Sequence, residues 1–122
     1  MPTTGKDAMF PDGVGYSYGQ GATVTQLTSR TTGVTANALS GQITLVAAAP
    51  STTPTSFTVT DTKVGADDVV IASVRSSNAG NVYAVSVSAV ADGSFRLSVW
   101  SQSGIVSDSP VISFAVFKLD IT

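Results

Sequence analysis

The sequence has 122 residues, of which 11% are charged and 43% hydrophobic, and its net charge is −2. That length fits one domain with its own core, and the charged fraction is well below the usual value of about 25%. Cations this few and scattered offer no basic stripe for a nucleic acid, and no apolar run is long enough to span a membrane. The chain has no cysteine, which excludes disulfides and thiolate metal sites.

Residues 1–21 differ from the rest of the chain because they mix glycine, proline and aromatic residues without a regular period. They contain no apolar stretch typical of a secretory signal. We predict an extended N-terminal arm over 1–21 and a β domain over 22–122. Two interpretations of the arm remain open: a flexible terminus, or a segment that becomes ordered against a neighbouring protein through Phe10, Tyr16 and Tyr18.

From Ala22 onward apolar residues recur at every second position, which is typical of β-strands. Turn-forming pairs such as Ser40-Gly41 and Asp92-Gly93 separate the runs. The pattern predicts strands over 22–28, 32–38, 42–48, 55–60, 68–75, 81–90, 94–101 and 110–120. We therefore expect an all-β fold, an antiparallel, jelly-roll-like β-sandwich of about eight strands, although a closed barrel also fits this spacing.

The register of one hairpin can be predicted from the segment VYAVSVSAVADGSFRLSVWS. A loop of two residues would place Val87 opposite Ser98, an apolar side chain against a polar one. A three-residue loop, Ala91-Asp92-Gly93, pairs apolar residues instead: Val87 with Leu97 and Ala89 with Phe95. Because a slip of one residue moves every side chain to the other face, the pattern favours the longer loop, with Gly93 left-handed.

One aromatic residue of the predicted strands, Trp100, is expected to point away from the core, and the last strand has two apolar faces. Trp100 falls on the serine-bearing face, where a loop, the arm or a neighbouring subunit would cover it. The last strand, PVISFAVFKLD, is apolar on both faces, with Phe114 on one face and Phe117 on the other. Such a strand is buried on both sides, within one fold or between copies. We predict self-association, with candidate interface residues Phe10, Tyr16, Tyr18, Trp100 and Phe117.

The sequence offers little material for catalysis. It has neither His nor Glu, which excludes His-based triads and imidazole metal sites. The stretch DTKVGADD brings Asp61, Asp67 and Asp68 together. These residues fit turn positions best, while a weak calcium site and a paired-Asp hydrolase stay open as alternatives. We predict a protein that is not an enzyme, with no catalytic residue, no metal and no cofactor.

The segment GATVTQLTSRTTGVTANALSGQITL, together with the closing segment SPVISFAVFKL, resembles a family of small bacteriophage structural proteins of the head-decoration (cement) type. Related stretches also occur in tail-fibre proteins. The matching positions are Gly21, Val24, Thr25, Gln26, Thr28, Ser29, Arg30, Gly33, Val34, Thr35, Asn37, Gly41, Gln42, Ile43, Thr44, Ile112, Phe114, Val116 and Lys118. The resemblance covers about residues 21–119, leaves the arm unmatched and brings no catalytic residue with it.

This resemblance implies a virion component made in the cytoplasm of the bacterial host. A short chain with one β domain suits a protein that sits on a preformed lattice, so we expect it on the outer surface of the phage head, bound to the major capsid protein. By analogy with cement proteins we expect a homotrimer, with neither nucleic acid nor membrane as a partner. The alternative is a tail, collar or fibre-associated module that binds a host receptor or another tail protein.

Overall fold

Eight β-strands form the regular secondary structure of residues 21–119, the part of the chain that this computed structural model describes. They are β1 (Ala22–Thr25), β2 (Val34–Thr35), β3 (Ser40–Thr44), β4 (Thr55–Thr60), β5 (Val69–Ser76), β6 (Val82–Ala91), β7 (Ser94–Ser103) and β8 (Val111–Phe117). Each overlaps a strand predicted from the two-residue period, so the all-β prediction is confirmed. Nearly all of the predicted arm lies outside the described residues. Within residues 21–119, no helix is long and apolar enough to cross a membrane.

The strands form two four-stranded sheets that pack against each other as a β-sandwich. Sheet A has the order β1-β3-β8-β5, and sheet B has the order β2-β4-β7-β6. Most connections pass from one sheet to the other, so β1 and β3 are neighbours although β2 lies between them in sequence. The chain returns to sheet A in the same direction, and β1 therefore pairs with β3 in parallel, as β2 does with β4. Both sheets are mixed, whereas the sequence predicts antiparallel pairing throughout.

The core consists of the inward side chains of the two sheets. On β7 the alternation places Phe95, Leu97 and Val99 inside, and all three are buried. Phe114 of β8 faces Phe95 from the opposite sheet, with ring centroids 5.4 Å apart. Full burial of a side chain of this size stabilises a fold by roughly 1.5–3 kcal/mol, so these inner faces hold the sheets together.

The hairpin between β6 and β7 has a shorter loop than the sequence predicts. Ala91 pairs with Ser94, which leaves the two-residue loop Asp92-Gly93, with Gly93 at a φ of 85°. Two pairs test the predicted register: Val87 with Leu97 is confirmed, and Ala89 with Phe95 is wrong, because Val90 lies opposite Phe95. The register shifts at Ser88, which forms a bulge. The bulge, rather than a longer loop, keeps the apolar residues of both strands on the core side.

A glycine allows β1 to join sheet A. Gly41 of β3 pairs with Ala22 on one side and with Phe114 on the other. A Cβ at position 41 would lie 2.5 Å from the carbonyl oxygen of Ala22 and 3.0 Å from the Phe114 ring. Only glycine fits between these neighbours. Gly41 therefore determines where β1, and the chain that precedes it, meets the sheet.

Candidate interaction surfaces

The outer face of sheet A carries exposed apolar side chains at one end, where β5 begins and β8 ends. Val69 pairs with Phe117, and Ile71 pairs with Ala115. Val69, Ile71 and Phe117 are 45%, 53% and 47% exposed, and Leu119, the next outward residue after Phe117, is 48% exposed. We call Val69, Ile71, Ala115, Phe117 and Leu119 the apolar patch. Contiguous exposed apolar side chains indicate an interaction site far more strongly than isolated ones do.

A buried carboxylate fixes the geometry of the apolar patch. Asp68, directly before β5, accepts a 2.6 Å hydrogen bond from Lys118 Nζ and a 3.2 Å bond from the backbone N–H of Leu119. It also accepts a 2.7 Å bond from the N–H of Gly65. Burial alone would raise the pKa of Asp68, but these donors together outweigh burial, and the pKa lies below its usual range. The ionised carboxylate thus holds the end of β8 against the start of β5.

The outer face of sheet B is polar. Hydroxyl groups of β4, β6 and β7 meet there in what we call the serine cluster, Ser56, Ser88 and Ser98. Ser56 Oγ lies 2.7 Å from Ser98 Oγ, and Ser98 Oγ donates to Ser88 Oγ at 3.2 Å. Arg96 Nε also donates to Ser88 Oγ, at 2.8 Å. These groups bond to one another at the surface, where Ser56 and Ser88 are exposed.

Trp100 lies on the same outer face as Ser98, two residues further along β7. Its side chain is half-buried and lines a cleft of about 210 Å³. Residues of the connection between β3 and β4, including Ser51 and Thr53, form another wall of that cleft. The structure therefore places Trp100 on the face that the sequence predicts, with a loop beside it.

A polar network borders the cleft and joins distant parts of the chain. Arg30 donates to the carbonyl oxygens of Val46, at 2.7 Å, and Asp108, at 3.0 Å. Its guanidinium lies 5.9 Å from the centre of the Tyr83 ring, and the Tyr83 hydroxyl donates to Asp108 Oδ1 at 2.5 Å. Burial raises the pKa of Tyr83, and the bond to Asp108 raises it further. For Asp108, burial would raise the pKa, but the hydrogen bonds from Tyr83 and from the N–H of Asn78 help to outweigh it, and the pKa is lowered.

Sequence reasoning missed this network. Arg30 and Asp108 are 78 residues apart in sequence, and no local pattern joins them. The one available signal is Arg30 itself, a single charge in an otherwise uncharged stretch. A lone cation in such a stretch needs acceptors, which here are mainly backbone carbonyl oxygens.

The two predicted interface residues that the structure describes lie on different surfaces. Phe117 lies in the apolar patch of sheet A, and Trp100 lies on the outer face of sheet B. Phe10, Tyr16 and Tyr18 lie outside the described residues. An interface role for these five residues stays a prediction.

The acidic stretch forms turns, as the sequence predicts. Asp61 is fully buried after β4, and its Oδ1 accepts a 3.0 Å hydrogen bond from the N–H of Lys63. Burial raises the pKa of Asp61, although backbone N–H groups of Lys63 and Ala38 oppose that rise. Asp67 is exposed. Among the residues from 21 to 119, no three His, Cys, Asp or Glu side chains are grouped so that they could hold a metal ion.

A comparison with known protein families gives a match. The model of the family described as PilS N terminal matches residues 20–105, which is more than half of the chain. The matched region includes β1 to β7, with the serine cluster and Trp100, and ends before β8. Neither the curated proteins nor the solved structures provide a significant match.

Proposed function

The chain belongs to the PilS N-terminal family, and we propose that it is a non-enzymatic structural protein of a bacteriophage virion. In this proposal it is a decoration, or cement, protein that binds the outer surface of the major capsid protein lattice and stabilises the head. The matched family is not a capsid family, so the virion assignment depends on the sequence resemblance of residues 21–119. The surfaces of the sandwich support the mode of action, which is adhesion.

The outer face of sheet B is the observation that carries this proposal. The serine cluster and Trp100 share this face, with Ser98 two residues from Trp100 on β7, so an aromatic side chain lies next to hydroxyls that bond to one another. Protein interfaces combine these features: a few aromatic anchors in a polar surround, over about 800 Å² per partner. Many such contacts repeated over a shell stabilise it through multivalency.

The buried carboxylates support a non-enzymatic role. Asp61 accepts a bond from Lys63 within its own turn, and Asp68 accepts bonds that join β5 to β8. Both side chains are engaged in holding the backbone. A general acid or base would need such a group to face a site that a substrate can enter.

The homotrimer in this proposal comes from analogy with cement proteins. A decoration protein at a three-fold junction of a lattice would match that symmetry. Analytical ultracentrifugation of the full chain at micromolar concentration tests it: a trimer mass supports this state, and a monomer mass at every concentration overturns it.

A module associated with the tail, collar or fibre is the second candidate function. The cleft of about 210 Å³ beside Trp100 favours it, because an aromatic wall next to the hydroxyls of Ser51 and Thr53 suits a sugar ring of a host receptor. The pilin-related character of the matched family also fits a surface appendage better than a capsid.

Separation of heads from tails distinguishes these functions. Particles of the phage whose genome encodes the chain are dissociated, and heads and tails are separated on a density gradient. Mass spectrometry then locates the chain. We expect it in the head fraction; its presence only with tails would establish the alternative, and its absence from both fractions would overturn both proposals.

A binding experiment with matched variants identifies the surface. Purified chain is added to heads that lack it, and the bound fraction is measured by sedimentation. We expect Ser98→Arg on sheet B to reduce binding at least tenfold, because it places an uncompensated charge in the contact. Ser113→Arg, on the outer face of sheet A, is the control and is expected to bind normally. Equal binding by both variants would exclude sheet B as the contact.

A further inference from the structure

We infer that residues 9–18 of the N-terminal segment pack across the apolar patch of their own domain. This segment contains Met9, Phe10, Tyr16 and Tyr18, the large apolar and aromatic side chains of the chain's first twenty residues after Met1. The contact would bring together four of the five predicted interface residues. The contact follows from the fold and would be the same in a protein of the phage head and in a protein of the tail.

The strand register places the entry of this segment beside the patch. Gly21 directly precedes β1, whose first residue, Ala22, is level with Gly41 and with Phe114 across sheet A. One residue earlier, Gly21 is therefore level with Ala115, the neighbour of Ile71 in the patch. Gly21 thus enters β1 at the end of the sheet where the patch lies.

The length of the segment is sufficient for it to cover the patch. Neighbouring strands lie about 4.8 Å apart, so β1 and β5, the two edges of sheet A, are roughly 14 Å apart. An extended chain advances about 3.3 Å per residue, so Tyr18 can reach β3 or β8, and Phe10 can reach beyond β5. No second molecule is needed to bring these side chains to the patch.

The size of the patch favours a segment over a second copy of the domain. Its four large side chains are each about half exposed, and together they offer an area on the order of 300–400 Å². A stable interface between two domains needs about 800 Å² on each partner. A short segment tethered to the same domain can use the smaller area, because the tether supplies an effective concentration in the millimolar range.

Charge at the rim of the patch is compatible with this occupant. Lys118 follows Phe117 directly, and its ammonium group, which is paired with Asp68, also donates to the backbone carbonyl oxygen of Lys63. The segment carries Asp7 and Asp12 on either side of Phe10. Opposite charges at an exposed rim add little affinity, but they favour one orientation of the segment.

Disulfide trapping tests the packing directly, because the natural chain has no cysteine. The test pair is Ser17→Cys with Ala115→Cys, in the full chain. The control pair is Ser17→Cys with Thr58→Cys, which places the second thiol on the outer face of sheet B. At low micromolar concentration we expect the test pair to form a cross-link within one chain at least tenfold faster than the control pair. Equal rates would overturn the inference, and cross-linked dimers as the main product would show that the patch binds a second copy instead.

Amide hydrogen exchange provides a second test of the packing that needs no engineered thiols. We expect Ile71→Ser to increase amide exchange over residues 9–18 at least fivefold, since it removes an apolar contact from the exposed face of β5. Leu27→Ser is the matched control, because Leu27 is an exposed apolar residue outside the patch, and it is expected to leave this segment unchanged. Exchange over 9–18 that is equally fast in the natural chain and in both variants would contradict the packing.

Discussion

The two outer faces of the sandwich differ although their inner faces are built alike. Sheet A bears the apolar patch at one end, and its outward residues of β8 are mostly apolar. Sheet B bears the serine cluster and Trp100, and β7 has mostly polar outward residues. The inner alternation of both strands provides the core, so the outward residues are available for contacts. We propose that the outer face of sheet A holds the chain's own N-terminal segment and that the outer face of sheet B contacts a partner protein.

Under these proposals, a protein with few charges keeps two contacts separate. Apolar side chains hold a tethered segment without demanding exact hydrogen-bond geometry. Hydroxyls that bond to one another keep a surface compatible with water when no partner is bound, and they need little rearrangement when a partner protein covers them. The following variants test whether the two faces are independent of each other.

The largest expected effect concerns the attachment of β1 to sheet A. Gly41→Ala places a methyl group 2.5 Å from the Ala22 carbonyl oxygen, so β1 has to move away from β3. We expect unfolding free energy to fall by about 2–3 kcal/mol, measured by urea denaturation. Gly80→Ala is the control, because its nearest contact would be 3.4 Å away, and we expect it to lose less than about 1 kcal/mol. Similar losses in both variants would refute the steric explanation.

The next effect concerns the carboxylate that holds the apolar patch. Asp68→Ala leaves Lys118 and the N–H groups of Gly65 and Leu119 without their acceptor. We expect a loss of about 1–3 kcal/mol, together with faster amide exchange at Leu119. Asp67→Ala is the neighbouring control, since Asp67 is exposed, and it should change stability by less than about 0.5 kcal/mol. A loss from Asp67→Ala as large as that from Asp68→Ala would show that local charge, not this acceptor, matters.

The two buried carboxylates should give opposite pH dependence. The pKa of Asp68 is lowered by folding, so its contribution is present at neutral pH and is lost as the pH falls through the folded pKa. The pKa of Asp61 is raised by folding, so the folded state binds its proton more tightly, and this contribution is lost as the pH rises through the folded pKa. We therefore expect Asp68→Asn to destabilise most at pH 7 and least at pH 3.

For Asp61→Asn we expect the reverse order, with the most favourable effect, relative to the natural chain, at pH 7. Its amide oxygen can still accept the bond from Lys63, so the turn keeps its geometry. Urea denaturation of both variants from pH 3 to pH 7 measures the two slopes. Parallel slopes would contradict the assignment of opposite shifts.

The smallest effect is expected on sheet B. Ser98→Ala removes hydroxyl contacts to Ser56 and Ser88 that are exposed to water, so we expect a loss of only about 0.5–1 kcal/mol. Ser113→Ala on sheet A is a control on the opposite outer face, with an expected change near zero. A loss above about 2 kcal/mol for Ser98→Ala would mean that the serine cluster stabilises the fold itself and does more than form a surface.

The sequence predicts the strands well because their signal is local. Alternation of apolar and polar residues, interrupted by turn pairs such as Asp92-Gly93, was enough to locate all eight strands. The outward position of Trp100 follows from the same alternation, whereas the last strand is apolar on both faces and its pattern does not say which face is outward. Pairing between strands is not a local property, and the parallel pairs β1–β3 and β2–β4 therefore could not be derived from the sequence pattern.

The hairpin register shows a further limit. The requirement that Val87 meet Leu97 was predicted, because it follows from the apolar pattern. The structural feature that achieves this pairing was not predicted, since either a longer loop or a bulge at Ser88 satisfies the same requirement. In the same way, Asp68 can accept bonds from Lys118 and Leu119 only because β5 and β8 are neighbours in the folded sheet. The two strands are far apart in sequence, so no local pattern predicts this role.

Radical footprinting of the full chain, free and bound to phage heads, tests the central claim most directly. Trp100 is the chain's one tryptophan and reports on sheet B, while Ile71 and Phe117 report on the apolar patch of sheet A. If the protein adheres to a capsid through sheet B, oxidation of Trp100 falls on binding, and oxidation of Ile71 and Phe117 stays the same. Protection of Ile71 and Phe117 with Trp100 unchanged, or no protection of any of them, would contradict the account.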